Sequence, residues 1–137
     1  GQYIDVAASV KDAGGLRKLH GLKTGRLIAA SVLVPLHLMG TSGAATLPYE
    51  NYAEELGVLF QIVDDILDVT GSDAELGKPH GSDERHGKLT YVSLFGLDCA
   101  RELAVDSHSK ARAALASIEG DTRDLELITD FIHTRQT

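Results

Sequence analysis

Residues 60–68 place three aspartates in an otherwise apolar run, and this feature limits what the chain can fold into. Ionised side chains are costly to bury without a partner, so the segment must separate its polar groups from its apolar ones. On a helix, Gln61, Asp64 and Asp68 fall at positions i, i+3 and i+7 and form one polar stripe, while the apolar side chains between them can pack. The pattern therefore predicts a mostly buried helix with one acidic face.

An acidic stripe on a buried helix requires a positive charge nearby. Like charges at this spacing destabilise a helix by roughly 0.2–0.5 kcal/mol per pair, and no Lys or Arg occurs between residues 57 and 76. Carboxylate oxygens suit Mg²⁺, which usually takes one or two carboxylates and completes its shell with water and substrate phosphates. The alternative is a solvated acidic helix face, which is common in a chain of net charge −7. The apolar neighbours favour the metal site.

Composition favours packed helices within one domain. The 137 residues are 43% hydrophobic, which is enough to fill a core, and the sequence has few aromatic residues and no Trp. Ala, Leu, Val and Ile supply most of the apolar content, and we find no internal repeat and no convincing strand pattern. The predicted fold class is therefore all-α.

Cysteine content, charge and hydropathy exclude several classes of protein. The single Cys99 rules out an internal disulfide and a cysteine zinc site, and it fits a reducing compartment. The acidic net charge argues against nucleic-acid binding. The longest apolar run, residues 27–39, is interrupted by Pro35 and His37 and is too short to span a bilayer. Because the sequence also lacks a signal peptide, we expect a cytoplasmic protein.

Apolar periodicity and helix breakers predict five helical segments. They cover residues 16–20, 24–39, 49–69, 90–118 and 125–132. Gly96 is a weak point in the fourth segment. A polar, glycine-rich loop over residues 71–87 follows the acidic helix, and its length predicts that it is functional or mobile.

Basic residues accompany the acidic helix on both sides. Lys23 and Thr24 lie at a predicted helix start, where free N–H groups, the helix dipole and an ammonium favour an anion, although most Lys-Thr pairs are simply solvated. Lys78 and Lys88 lie in and at the end of the glycine-rich loop. An acidic helix followed by a basic loop is what a metal–diphosphate complex requires. The six histidines show no paired spacing with the carboxylates, so a zinc site is poorly supported.

Taken together, these segments resemble the trans-isoprenyl diphosphate synthases, a family of polyprenyl synthetases. Residues 60–68, Phe-Gln-Ile-Val-Asp-Asp-Ile-Leu-Asp, are similar to the second aspartate-rich motif of that family. The other matching segments occur in the same order, and they are Gly1-Gln2 with Asp5, His20-Gly21-Leu22-Lys23-Thr24-Gly25, Leu76-Gly77-Lys78-Pro79 with Gly81-Ser82-Asp83, and Gly87-Lys88-Leu89-Thr90-Tyr91. The resemblance covers residues 1–137, which we take as part of one synthetase domain.

The resemblance implies an all-α helical bundle of the isoprenoid synthase type and a prenyltransferase activity. Such an enzyme ionises an allylic diphosphate with Mg²⁺, couples the carbocation to isopentenyl diphosphate, then removes a proton and releases diphosphate. Carried over by position, Asp64 would bind Mg²⁺ most directly, and Asp65 and Asp68 would hold the metal or its waters.

The remaining site residues are also implied by the resemblance. Thr24 and Gln61 would face the reacting carbons as neutral polar groups, and Lys23 would act with them in catalysis. A wider set of residues would bind the diphosphate or line the cavity around it, and this set comprises Lys23, Lys78, Lys88, Gln2 and Asp5.

One part of the family pattern is missing. These enzymes also carry a first aspartate-rich motif with a following arginine pair, but no such motif precedes Gly1 and no Arg-Arg occurs in the sequence. We therefore expect the chain to be the C-terminal half of the fold. It would need the N-terminal half and be inactive alone, whereas the parent protein would be an active homodimer.

Two other function classes share this architecture. A non-catalytic prenyltransferase-like subunit would have no need of the metal and phosphate groups at Lys23, Gln61, Asp64 and Lys78. A terpene cyclase ionises the same substrates, but the Lys-Thr pair and the Gly-Lys-Pro loop favour the coupling enzyme.

Overall fold

The computed structural model describes residues 13–71 and 89–135, and this part of the chain is helical and contains no strand. Its α-helices, in chain order, are α1 Ala13–His20, α2 Arg26–Leu38, α3 Leu47–Thr70, α4 Tyr91–Phe95, α5 Leu97–Ala116 and α6 Arg123–Thr134. A π-helix, Gly21–Gly25, joins α1 to α2, and a 3-10 helix, Gly43–Thr46, precedes α3. The predicted all-α fold class is confirmed. The predicted loop lies outside the described residues except for Gly71.

Helix α3 is the centre of the fold, and α5 packs along it. The fully buried side chains of α3 include Tyr52, Leu59, Ile62, Val63 and Ile66. Helix α5 meets them with a stripe of short side chains at helical spacing, Ala100, Ala104, Ser107 and Ala111. Because these side chains are small, the α5 backbone can lie close to the large apolar residues of α3.

The single helix predicted over residues 90–118 is divided in two. Thr90 caps α4 through a reciprocal pair of hydrogen bonds with Ser93, and α4 ends at Phe95. Gly96 then has a φ of +81°, which other residues rarely adopt, and α5 begins at the next residue. The prediction of one continuous helix is wrong, and the break falls at its predicted weak point.

Helix α6 closes over α3 near the acidic segment. The Tyr52 hydroxyl donates a hydrogen bond to the Leu125 carbonyl oxygen at 3.2 Å, and the fully buried Thr129 lies beside both groups. At the end of α6, the Arg135 guanidinium stacks over the Phe60 ring at 5.2 Å from its centroid.

Within both described stretches, no helix combines the length and the apolar character that a bilayer-spanning segment requires.

Helices α5 and α6 also meet through two histidines. The rings of His108 and His133 stack with their centroids 4.5 Å apart, and the Asp130 carboxylate lies 2.7 Å from Nε2 of His108. Arg112 on α5 forms an ion pair with Glu126 on α6 at 2.7 Å. Burial, with a smaller contribution from the charge of His108, holds the pKa of His133 below its ordinary value of 6.5.

This depressed pKa predicts a loss of stability in acid. The unfolded chain takes up the His133 proton more readily than the folded protein, so stability that is complete above about pH 6.5 falls as the pH drops through the folded-state pKa. Chemical unfolding of the full-length protein between about pH 7 and pH 5 should show this decline, and His133→Asn should flatten it. His37→Asn, at an exposed histidine of α2, serves as the control. An unchanged decline in His133→Asn would contradict the prediction.

Candidate functional site

The acidic stripe lies on α3 and is largely buried. Asp65 and Asp68 are each 2% exposed, Gln61 is 8% exposed, and Asp64 is half-buried. A solvated acidic face would leave these carboxylates in water, so their burial argues against that alternative.

Asp64 differs from Asp65 in its contacts. Asp64 forms no hydrogen bond or ion pair with any residue that the structure describes. Asp65 accepts hydrogen bonds from the Gln61 side-chain amide at 3.0 Å and from the Tyr91 backbone N–H at 2.7 Å. Asp64 therefore has its oxygens available for a ligand, whereas Asp65 already joins two parts of the fold.

The donor set at the stripe fits a hard divalent cation. Residues 13–71 and 89–135 contain no group of three His, Cys, Asp or Glu side chains that could hold a metal by themselves. Mg²⁺ does not need such a group, because it is commonly bound by one or two carboxylates while water and substrate phosphates complete its shell. Asp64 and Asp68, one helical turn apart, supply that number of carboxylates.

Two glycines bring the Lys-Thr pair against the acidic helix. A Cβ atom added to Gly57 would lie 3.2 Å from the Cα atom of Gly25, so the backbones of the π-helix and α3 are in direct contact there. Lys23 and Thr24 belong to this π-helix, with Lys23 exposed and Thr24 half-buried. Gly57 lies one turn before Gln61 on the same stripe. This contact between the two backbones thus places the Lys-Thr pair beside the beginning of the acidic stripe.

A second connection joins the π-helix to Asp65. His20, at the start of the π-helix, stacks on the Tyr91 ring with the centroids 5.7 Å apart. Tyr91 is the first residue of α4 and donates its backbone N–H to Asp65. Burial raises the pKa of the Tyr91 hydroxyl above its ordinary value of 10.0. His20 and Tyr91 therefore connect the π-helix to Asp65.

A groove adjoins the Gly25–Gly57 contact, and both glycines are among the residues that line it. It has a volume of about 720 Å³ and is lined by residues of α1, the π-helix, α2 and α3, including Arg17, Arg26 and Glu54. Lys23, Asp64 and Asp68 are not among its lining residues. The cavity around the diphosphate that the resemblance implies for Lys23 is therefore not this groove, and it stays a prediction.

The structure describes six of the ten predicted site residues. Gln2, Asp5, Lys78 and Lys88 lie outside the described residues. The sequence interpretation missed the structural roles of His20 and Tyr91, although both belong to the matching segments. The Thr90-x-x-Ser93 pattern could have indicated a helix start at Tyr91, whereas nothing local in the sequence pairs Tyr91 with Asp65.

Comparisons with known proteins agree over nearly the whole chain. The polyprenyl synthetase family profile matches residues 1–130. Farnesyl diphosphate synthase from Escherichia coli (strain K12) is 41% identical over 141 residues, covering 98% of this chain and 47% of that protein. Geranylgeranyl pyrophosphate synthase 4 from Arabidopsis thaliana is 37% identical over 121 residues, covering 88% of this chain and 32% of that protein.

A solved structure shows the same arrangement of helices. The crystal structure of a farnesyl-diphosphate synthase from Marinomonas sp. MED121 matches with a TM-score of 0.74 at 29% sequence identity. The match covers 96% of this chain and 45% of that one. The chain thus spans half or less of the length of each of these three proteins.

Proposed function

The chain belongs to the polyprenyl synthetase family, and on this basis we propose that the full-length protein is a prenyltransferase that joins an allylic diphosphate to isopentenyl diphosphate. Its fold is the helical bundle of the isoprenoid synthase type. The chain spans half or less of the length of the relatives described above, so the activity is proposed for the whole protein. Two further predictions remain, which are that the chain is the C-terminal half of the fold and that the protein is cytoplasmic.

The Gly25–Gly57 contact is the observation that carries this proposal. It joins a segment bearing an ammonium and a hydroxyl, Lys23 and Thr24, to a helix bearing buried carboxylates. Ionising an allylic diphosphate requires both kinds of group, because the leaving diphosphate gains negative charge, which an ammonium neutralises directly and carboxylates neutralise through a bound cation. The two segments can thus act together on the leaving diphosphate.

We assign the metal to Asp64, with Asp68 holding it or its coordinated waters. When bound there, Mg²⁺ supplies positive charge that stabilises the departing diphosphate. Asp64 suits direct binding because it is half-buried and has no described partner, so little has to be broken to accept a cation. The burial of Asp68 limits competition from bulk water.

The other site residues act on the diphosphate and on the carbons. Lys23 would neutralise phosphate oxygens and orient the allylic substrate, a task that it would share with Lys78 and Lys88. Thr24 and Gln61 are neutral, and their oxygens can stabilise a developing carbocation without capturing it. Gln2 and Asp5 keep their predicted place in the cavity lining.

Gly57→Ala should disturb this arrangement in the full-length protein. The added Cβ would lie 3.2 Å from Gly25 Cα, and backbone must shift by a few tenths of an ångström to admit it. Because catalysis depends on small displacements of positioning groups, we expect kcat/KM for the allylic diphosphate to fall about tenfold.

Gly21→Ala is the matched control for this prediction. It adds the same methyl group to the π-helix that Gly57 touches, but apart from the neighbouring backbone of that helix no atom lies within 4 Å of the new Cβ. Steady-state kinetics of both variants measure the effect. If Gly57→Ala and Gly21→Ala had the same kcat/KM, the Gly25–Gly57 contact would not position the site.

We also propose that the exposed apolar face of α2 is covered by the N-terminal half of the fold, and that the complete protein is a homodimer. Helix α2 has no buried residue, although most of its side chains are apolar. Alignment to about half of the E. coli relative leaves a comparable length of that protein to cover such a face.

A product assay tests the proposed function. The full-length protein is incubated with Mg²⁺, isopentenyl diphosphate and either dimethylallyl or geranyl diphosphate, and the products are identified by mass spectrometry. We expect diphosphates lengthened by five-carbon units. A terpene cyclase would release a hydrocarbon without consuming isopentenyl diphosphate, and a non-catalytic subunit would give no product. Either result would refute the proposal.

A further inference from the structure

Asp65 uses both side-chain oxygens to hold two separate parts of the structure. Oδ1 accepts a hydrogen bond from Nε2 of Gln61 at 3.0 Å, and Oδ2 accepts one from the backbone N–H of Tyr91 at 2.7 Å. Asp65 is 2% exposed, so bulk water does not compete for either bond. These contacts suggest a task different from that of Asp64.

The first contact fixes which end of the Gln61 amide faces Asp65. A carboxylate accepts hydrogen bonds and donates none, so the amide must present its NH₂ group to Asp65. Its oxygen, Oε1, is therefore turned away from Asp65. That oxygen carries partial negative charge and would stabilise a nearby carbocation, whereas the NH₂ hydrogens would oppose it.

The second contact keeps Asp65 from releasing Gln61. Tyr91 opens α4, and its ring packs on His20 at the start of the π-helix. With Oδ2 bound to the Tyr91 N–H, the carboxylate cannot rotate without losing a buried hydrogen bond. The orientation of Gln61 is thus supported by two packed segments.

We propose that Asp65 is a positioning residue, which acts on the substrate through Gln61 by keeping the oxygen of the Gln61 amide toward the reacting carbons. The inference rests on the proposed function, because it concerns a carbocation formed in prenyl transfer. It divides the tasks of the adjacent aspartates, since Asp64 would hold the metal, whereas Asp65 contacts Gln61.

Asp65→Asn tests the proposal without changing the volume of the side chain. Asn must turn its oxygen to the Tyr91 N–H, so its NH₂ group faces Gln61. Gln61 can keep its hydrogen bond only by rotating its amide, which turns Nε2 toward the substrate. In the full-length protein we expect kcat to fall about tenfold, while KM for the allylic diphosphate stays within about twofold, because the lost interaction forms with the positive charge.

A double-mutant cycle separates this role from general structural support. In a Gln61→Met background there is no amide to rotate, so Asp65→Asn should change kcat by less than about twofold. Asp64→Asn is the matched control, and it should lower kcat by the same factor in both backgrounds. Equal effects of Asp65→Asn with and without the Gln61 amide would overturn the proposal.

A second measurement does not depend on catalysis. The chain has three glutamines, so isotope labelling of glutamine nitrogen gives few side-chain NMR signals from it. In the substrate-free parent, the Gln61 NH₂ protons should exchange at least about tenfold more slowly than those of free glutamine, and Asp65→Asn should raise their rate. Exchange at the free rate in the parent would overturn the proposal. Slow exchange in a protein without prenyl transfer would refute the proposed function alone.

Discussion

Replacing Asp64 with alanine in the full-length protein should lower kcat by about 10²–10³-fold, by analogy with the loss of one preorganised electrostatic group. Asp64 would hold a metal against the leaving diphosphate, where negative charge grows in the transition state, so its loss should appear mainly in kcat. KM for isopentenyl diphosphate should change little, because that substrate keeps its own diphosphate during the reaction. Steady-state kinetics at saturating Mg²⁺, with the allylic substrate and isopentenyl diphosphate varied in turn, measure both effects.

Asp98→Ala is the matched control for this variant. The Asp98 side chain is 97% exposed and lies on α5, so its removal takes one carboxylate from the protein without touching α3. We expect its kcat to match that of the parent. A near-parental kcat in Asp64→Ala would mean that the metal role is wrong and that Asp64 belongs to an ordinary acidic helix face.

The 137-residue chain alone should not behave as a stable monomer. On α2 and just beyond it, Leu27 is 72% exposed, Leu38 83% and Met39 81%, and on α6 Phe131 is 66% exposed. Each such side chain forfeits roughly 1.5–3 kcal/mol of burial. Exposed apolar surface of this extent drives association between copies.

Size-exclusion chromatography with light scattering tests this expectation. We predict a mass above the 14.6 kDa of the single chain, or a broad distribution. The double variant Leu27→Gln, Leu38→Gln should shift the distribution toward the monomer. Val105→Gln, at an exposed apolar residue of α5, should leave it unchanged. A monodisperse monomer of the unaltered chain with a cooperative thermal transition would contradict the prediction.

Local features of the sequence were sufficient to predict most of the helices. The helix predicted over residues 49–69 is observed as Leu47–Thr70, because its start signals and its apolar spacing are all short-range. The helix predicted from Thr24 begins instead as a π-helix, Gly21–Gly25, and becomes α-helical at Arg26. The backbone contact at Gly57 makes that local irregularity part of the tertiary packing.

Long-range contacts could not be read from the sequence. Asp65 reads as one of three similar aspartates, yet it is bonded to Tyr91, which lies 26 positions later in the chain. Glycine lowers helix propensity, yet at Gly57 the lack of a side chain is what allows the π-helix to touch α3. Such roles depend on which segments meet in space, and local propensity does not determine that.

A crystal structure of the full-length protein with Mg²⁺ and a non-ionising allylic diphosphate analogue would test the account most directly. We predict a Mg²⁺ ion at about 2.0–2.1 Å from an Asp64 carboxylate oxygen, with diphosphate oxygens in its shell. The Lys23 ammonium should contact the same diphosphate, and Gln61 should face the allylic carbons. A diphosphate bound away from the π-helix, or an Asp64 carboxylate with no metal, would contradict the proposed site.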